Sequence, residues 1–158
     1  MGAAVLLSET PCSGHDGPQS TPSAAVGSWA LPWSSQACRH AREAVRGALH
    51  QWGRDDVADT AELLVSELVG NALRHARAPL ALNCVLLGDT VCCAVIDGSP
   101  DLPRVMGADS EDESGRGLAL VELLSARWGS DSTPRGKAVW FELHCRPGGS
   151  SADPENRR

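Results

Sequence analysis

The spacing of the hydrophobic residues changes near the middle of this 158-residue chain, and that change limits the fold more than any other feature. In the first half apolar residues recur at steps of three and four, which predicts two amphipathic helices separated at Gly53. After Pro79 the step becomes two, so residues 80–87 and 91–97 are predicted to form a β-hairpin. The chain therefore combines helices with strands and does not repeat one unit.

The N-termini of the two helices have candidate caps. Ser34 or Ser35 is expected to cap the first helix, and Asp55 or Asp56 the second. Short polar side chains serve this purpose because they accept hydrogen bonds from the free N–H groups of a first helical turn. The second helix is then expected to run to about Ala76.

The remaining segments supply a short strand, a long polar loop, a third helix and two further strands. In chain order we predict these elements at residues 28–33, 99–114, 117–127, 128–130 and 138–145. The order predicts an α/β (α+β) two-layer sandwich, in which three helices cover one face of a mixed, mostly antiparallel sheet. A Rossmann domain does not suit this order, because it needs repeated parallel βαβ units.

The two ends of the chain differ in composition from the middle. Residues 1–27 are rich in glycine, proline, serine and threonine and carry no hydrophobic period, so we expect a disordered N-terminal arm. Residues 147–158 have the same character and are expected to form a disordered tail. A single folded domain, residues 28–146, remains between them.

Charge and hydropathy argue against several classes of partner. The formal net charge is -6 and the arginines form no basic stripe, so direct binding to nucleic acid is not expected. No apolar run reaches the about 18 residues that cross a bilayer, and the N-terminus lacks the positive region of a signal peptide. The six cysteines show no C-x-x-C pair, so we interpret them as reduced thiols that fill the core. We expect a cytoplasmic protein without membrane contact.

Two polar side chains share one face of the second predicted helix. Glu67 and Asn71 are four residues apart and stand beside a partly apolar stripe. A carboxylate in this place needs a partner, because its desolvation is costly. Asn71 could bind a divalent cation while Glu67 orients a water or hydroxyl. Alternatively, Glu67 forms an ion pair with Arg74 or with Arg42 of the first helix.

A third carboxylate, Asp97, ends an apolar strand and is followed by Gly98. In this place it could accept a hydrogen bond from a ligand amine such as adenine N6. The alternative is a plain Asp-Gly turn, which needs no ligand.

A glycine pair precedes the third predicted helix, in the segment Gly115-Arg116-Gly117-Leu118. Its glycines would let backbone N–H groups approach phosphates at a helix N-terminus. A lone Gly-x-Gly has little specificity, since most such pairs are flexible turns.

In this order the three segments resemble the ATP-binding motifs of a known superfamily, the GHKL (Bergerat-fold, histidine-kinase-like) ATPases. Their N-box is similar to Glu67-Leu68-Val69-Gly70-Asn71-Ala72, their G1 box to Asp97-Gly98 and their G2 box to Gly115-Arg116-Gly117-Leu118. Small actinobacterial anti-sigma regulatory factors of the serine-protein kinase type closely resemble LLVSELVGNALRHA, VIDGSP, SGRGLALVELL and GKAVWFEL. The resemblance extends over roughly residues 28–143.

The resemblance implies a role for each matching residue. Asn71 would coordinate the Mg²⁺ that bridges the ATP phosphates, and Glu67 would act as the general base or orient the nucleophile. Asp97 would bind the adenine amine, and Arg74 would touch a phosphate. The other residues that the resemblance places at the nucleotide are Gly98, Gly115, Arg116, Gly117 and Leu118.

Two positions depart from the family pattern. The G1 box usually carries a second glycine, D-x-G-x-G, whereas this chain continues from Gly98 with Ser99 and Pro100. The family often has a threonine on the last strand near the adenine aspartate, and we predict Ala138 at that place. Loss of the hydroxyl would remove a hydrogen bond worth about 0.5–1.5 kcal/mol, which would weaken nucleotide binding.

The resemblance implies an ATP-binding anti-sigma regulatory factor. As a serine/threonine protein kinase it would use ATP and Mg²⁺ to phosphorylate an anti-sigma antagonist protein with a STAS domain. Alternatively, it would be a non-catalytic binding module that sequesters a sigma factor or another regulator, with the nucleotide structural or absent. Family members of this size often dimerise, so a homodimer is considered as well.

Overall fold

The structure is a computed structural model that describes residues 24–100 and 113–147, with residues 113–116 described by their backbone alone. Residues 1–23 of the predicted arm, residues 148–158 of the predicted tail and most of the predicted loop at 99–114 lie outside this part. The disorder that the sequence predicts for residues 1–23 and 148–158 therefore stays a prediction, whereas residues 24–27 of the predicted arm belong to a strand.

Five strands form one open sheet with the spatial order β1-β2-β3-β5-β4. Their bounds are β1 Ala24–Leu31, β2 Leu80–Leu87, β3 Thr90–Asp97, β4 Arg127–Thr133 and β5 Gly136–His144. All four neighbouring pairs are antiparallel, so the sheet is antiparallel throughout and not mixed. The predicted two-layer α+β architecture is otherwise confirmed.

Three helices complete the fold: α1 Ala37–Gln51, α2 Ala58–His75 and α3 Glu113–Leu124. Buried residues of these helices and of the strands form one apolar cluster between the two layers. In the sheet this cluster includes Leu82, Val95 and Val139, which are aligned across three strands. The main core therefore lies on one face of the sheet, and a smaller buried cluster of Cys92, Ala94 and Trp140 lies on the other face.

The predicted hairpin is confirmed almost residue by residue. β2 ends at Leu87 and β3 begins at Thr90, so the connection is the predicted Gly88-Asp89 pair. Gly88 has a φ of 57°, a left-handed value that glycine adopts without steric cost. Gly53, which follows α1, has a φ of 70° and ends that helix as predicted.

Several element ends differ from the prediction. β1 begins at Ala24, four residues before the predicted domain boundary at residue 28, and it pairs with β2 along its whole length. Helix α3 begins at Glu113 instead of Gly117, so the glycine pair lies inside its first turns. A glycine costs about 1 kcal/mol in a helix, and burial of Leu118 and Val121 against the core offsets that cost.

The predicted caps are also different. No side chain caps α1 or α2, although Ser34 Oγ accepts a hydrogen bond of 3.3 Å from the backbone N–H of Gln36. Asp55 and Asp56 belong to a short 3₁₀ turn that precedes α2. This extra turn moves the start of the α-helix beyond the reach of either aspartate.

The cysteines agree with the prediction in part. Cys84 and Cys93 are fully buried free thiols of the core, and Cys38 and Cys145 are free as well. Cys92 is disulfide-bonded, so the expectation of reduced thiols is wrong for this residue.

None of the helices in the described part of the chain is long and apolar enough to cross a bilayer.

Candidate functional site

Helix α2 presents Glu67 and Asn71 at the border between its buried and its exposed faces. Its buried side includes Leu64, Leu68 and Ala72, which pack into the core. Glu67 and Asn71 are both partly buried. The spacing of four residues therefore brings a carboxylate and an amide side by side, as predicted.

Glu67 makes neither an ion pair nor a hydrogen bond with any residue that the structure describes. Arg42 instead donates a hydrogen bond of 3.2 Å to Ser66 Oγ. Arg74 folds back over Gly70, where a Cβ would lie 3.5 Å from its Nη1 atom. The alternative prediction, in which Glu67 pairs with Arg74 or Arg42, is therefore wrong.

Helix α3 packs against α2 with Gly117 directly over Glu67. A Cβ at Gly117 would lie 2.8 Å from Glu67 Oε2 and 3.6 Å from Glu67 Cβ. Only a residue without a side chain permits this approach while the carboxylate stays where it is. The N-box and the G2 box, which the sequence separates by some fifty positions, thus meet at these two residues.

The charges of Arg42, Arg74 and Glu67 all act on the thiol of Cys38. Burial raises the pKa of the Cys38 thiol, the positive charges of Arg42 and Arg74 lower it, and the negative charge of Glu67 raises it. All three charged groups are therefore close enough to act on one thiol. Arg74 is exposed and forms no ion pair within the described residues, so its charge is available to a phosphate.

The donor set around Asn71 fits a cation that the nucleotide brings with it. Across residues 24–100 and 113–147 no group of three or more His, Cys, Asp or Glu side chains could hold a metal ion by itself. Mg²⁺ commonly takes one or two protein oxygens and completes its shell with phosphates and water. The Asn71 amide oxygen suits such a site, since it makes no hydrogen bond to a described residue.

Asp97 lies at the end of β3 and is 3% exposed. Its Oδ1 accepts a hydrogen bond of 2.8 Å from the backbone N–H of Ser99, which is the geometry of an Asx turn. Its Oδ2 lies 3.0 Å from Nζ of Lys137. The alternative prediction of an Asp-Gly turn is therefore correct. A turn alone, however, does not explain why Asp97 also forms a buried ion pair with Lys137.

Lys137 is the site residue that the sequence prediction missed. It belongs to β5, directly opposite Asp97 in the β3–β5 register, and is 6% exposed. A lysine that is almost fully buried is rare unless it is paired. The one available signal was that Lys137 is the only lysine of the chain and stands at the start of the last predicted strand.

Ala138 does not take the place of the family threonine. Side chains alternate between the two faces of a strand, and residues directly opposite share a face. Ala138 is opposite Ile96, so it points away from the face that carries Asp97. The position that faces Asp97 is Lys137, and the prediction for Ala138 is wrong by one residue.

Two glycines allow the chain to close tightly around Asp97. A Cβ at Gly98 would lie 2.3 Å from the carbonyl oxygen of Ala78, and one at Gly136 would lie 1.9 Å from that of Asp97. The Gly98 N–H donates a hydrogen bond of 2.7 Å to the carbonyl of Arg77. Gly98 therefore fixes the end of β3 against the segment that follows α2.

The remaining residues that were predicted to contact the nucleotide lie in α3. Gly115 and Arg116 are in its first turn, where only the backbone is described. Leu118 is 3% exposed and belongs to the hydrophobic core, so its side chain supports the helix from inside. Any contact of Leu118 with a nucleotide would have to come from its backbone.

Comparison with known proteins identifies the family of the domain. The model of the histidine kinase-like ATPase domain matches residues 31–143, which is most of the described part of the chain. No curated protein matches the chain significantly.

Proposed function

This chain belongs to the histidine kinase-like ATPase domain family, and from that premise we propose that it is an ATP-dependent serine/threonine protein kinase acting as an anti-sigma regulatory factor. Its proposed substrate is an anti-sigma antagonist protein with a STAS domain. The subtype and the substrate rest on the sequence resemblance, and the chemistry rests on the site.

The main support for the proposal is that the Glu67 carboxylate is not used in a structural interaction within the described residues. This partly buried carboxylate has no protein partner within the described residues, and the backbone of Gly117 lies against its Oε2 atom. A structural carboxylate at a helix border would pair with a nearby guanidinium, yet Arg42 and Arg74 are both directed elsewhere. A general base needs an acceptor atom that is free to receive a proton.

The other residues serve positioning and charge. When bound, Mg·ATP supplies the γ-phosphoryl group, and the cation neutralises part of the phosphate charge. Asn71 would offer its amide oxygen to the cation, and Asp97 would accept a hydrogen bond from the adenine amine. Arg74 extends an exposed positive charge from the same helix. Glu67 would orient the hydroxyl of a serine or threonine and take its proton.

The second candidate function is a binding module that sequesters a sigma factor or another regulator without transferring phosphate. It is favoured by the altered G1 box, in which Ser99 and Pro100 follow Gly98. The Glu67 carboxylate supports the kinase, because it has no partner within the described residues and a binding module does not need such a group. A homodimer and a cytoplasmic location, where ATP is available, are further parts of the proposal.

Transfer of labelled phosphate separates the two candidates. The full chain is incubated with γ-labelled ATP, Mg²⁺ and each STAS-domain protein that its host encodes. We expect label on a serine or threonine of one of them. Binding of ATP without label on any STAS-domain protein would favour the binding module with a structural nucleotide. Failure to bind ATP would contradict the kinase and leave only a binding module without nucleotide.

A further inference from the structure

The ion pair between Asp97 and Lys137 has a feature that a purely structural pair does not need. Nζ of Lys137 lies 3.0 Å from Oδ2 and 3.1 Å from Oδ1 of Asp97, and both side chains are almost completely buried. Desolvation of two charges costs about as much as their attraction returns, so such a pair is weak evidence for stability. Its place at the predicted adenine contact suggests a role in binding.

Among the described residues, the pair leaves one acceptor site of Asp97 and at least one donor of Lys137 without a partner. An ionised carboxylate oxygen accepts about two hydrogen bonds. Oδ1 of Asp97 accepts from Ser99 N–H and from Lys137, whereas Oδ2 has Lys137 as its one partner within the described residues. The ammonium of Lys137 has three N–H donors. Asp97 is the one partner that it has within the described residues, so at least one donor is left.

This combination matches the edges of adenine. The exocyclic N6 amine of adenine is a donor, and it stands between two ring nitrogens, N1 and N7, that are acceptors. A neighbouring acceptor and donor on the protein can therefore bind the amine and one ring nitrogen together. We propose that Lys137 is a specificity-determining residue that donates a hydrogen bond to the ring nitrogen beside the amine bound by Asp97.

The register of β5 supports this assignment. Lys137, and not Ala138, faces Asp97, so the last strand supplies a charged donor at the place where the family often has a threonine hydroxyl. The ammonium extends farther than a hydroxyl and can reach beyond Asp97 to the base. Hydrogen bonds to charged groups are the stronger ones, particularly at buried sites. The inference rests on the proposed binding of ATP at this site.

The experiment changes single atoms of the ligand and leaves the protein unchanged, so it does not depend on the folding of a variant. Isothermal titration with Mg²⁺ compares ATP with 1-deaza-ATP, 7-deaza-ATP and 3-deaza-ATP, each of which has one ring nitrogen replaced by C–H. We expect 1-deaza-ATP or 7-deaza-ATP to bind about tenfold more weakly than ATP, the order of a charged hydrogen bond. The control is 3-deaza-ATP, whose missing nitrogen is remote from the amine, and it should bind like ATP.

A variant assigns the effect to the lysine. Lys137→Met should bind ATP about tenfold more weakly, and it should no longer distinguish ATP from the analogue that the unchanged protein binds weakly. Equal affinity of the unchanged protein for ATP, 1-deaza-ATP and 7-deaza-ATP would overturn the inference and leave the proposed function intact. Failure to bind ATP itself would overturn the proposed function and the inference with it.

Discussion

Gly117 of α3 lies so close to Glu67 of α2 that a Cβ on the glycine would be 2.8 Å from Oε2 of the glutamate. This contact brings the first turns of α3 against a carboxylate that has no partner within the described residues. In the proposed kinase the glycine-rich turns would face phosphate and the carboxylate would face a hydroxyl.

The first prediction concerns this contact. Gly117→Ala should lower phosphoryl transfer about 100-fold, because the new methyl group displaces the carboxylate and misplacement by about 1 Å costs that much. The folded state should melt at an unchanged or higher temperature, since the end of the Glu67 side chain can move and alanine favours a helix. Transfer rates and thermal melts test both points.

Gly47→Ala is the matched control for this change. Gly47 is an exposed glycine of α1, and a Cβ there would meet no atom within 4 Å. It should stabilise the fold by about 0.4–1 kcal/mol and leave transfer unchanged. Normal transfer by Gly117→Ala would show that the close approach to Glu67 has no catalytic meaning.

The second prediction concerns the buried carboxylate of Asp97. Asp97→Asn should abolish most of the rise in melting temperature that Mg·ATP produces, a rise that corresponds to about 2.7 kcal/mol at a hundredfold excess over Kd. It should also destabilise the free protein by about 3–5 kcal/mol, because Lys137 keeps a buried charge without its partner.

The double variant Asp97→Asn, Lys137→Met separates these two effects. Removal of both charges should restore part of the lost stability, whereas nucleotide binding should stay lost. Calorimetry of the free proteins and titration with Mg·ATP provide the two measurements. Normal ATP binding by the double variant would show that adenine does not bind at Asp97.

The third prediction concerns Gly136 at the start of β5. Gly136→Ala should destabilise the protein by about 1–3 kcal/mol, since its methyl group would overlap the carbonyl oxygen of Asp97 and backbone must move. Denaturant unfolding measures the change, with Gly47→Ala again as the control. A stability equal to that of the unchanged protein would mean that β3 and β5 are farther apart than the structure has them.

The sequence predicted most accurately what depends on neighbouring residues. The hairpin between β2 and β3 follows from a two-residue period and a Gly88 turn, which are both local. The spacing of Glu67 and Asn71 likewise follows from helical geometry alone. The start of α3 was misplaced because glycines suggest a break, whereas burial against the core extends the helix.

What the sequence could not provide are the contacts between distant elements. A shift of one residue in strand register moves every side chain to the other face, and the choice of Ala138 in place of Lys137 is such an error. The meeting of Glu67 with Gly117 depends in the same way on how α3 packs against α2. Neither the strand register nor the packing of these helices can be predicted from the spacing of residues.

Glu67→Gln is the sharpest test of the proposed kinase activity, because Glu67 is the residue that distinguishes a kinase from a binding module. Its control is Glu62→Gln on the same helix, where the carboxylate pairs with Arg46 on the surface. Such surface pairs contribute little to stability, so the control should transfer phosphate normally. Neither change should disturb the binding of Mg·ATP.

The decisive measurement is the rate of phosphoryl transfer by Glu67→Gln at saturating Mg·ATP, together with its melting temperature. The proposed role of Glu67 as general base predicts transfer about 10²–10⁴-fold slower, the usual effect of losing such a group, with an almost unchanged melting temperature. A variant that transfers phosphate at the normal rate while melting several degrees lower would contradict it and make this carboxylate structural.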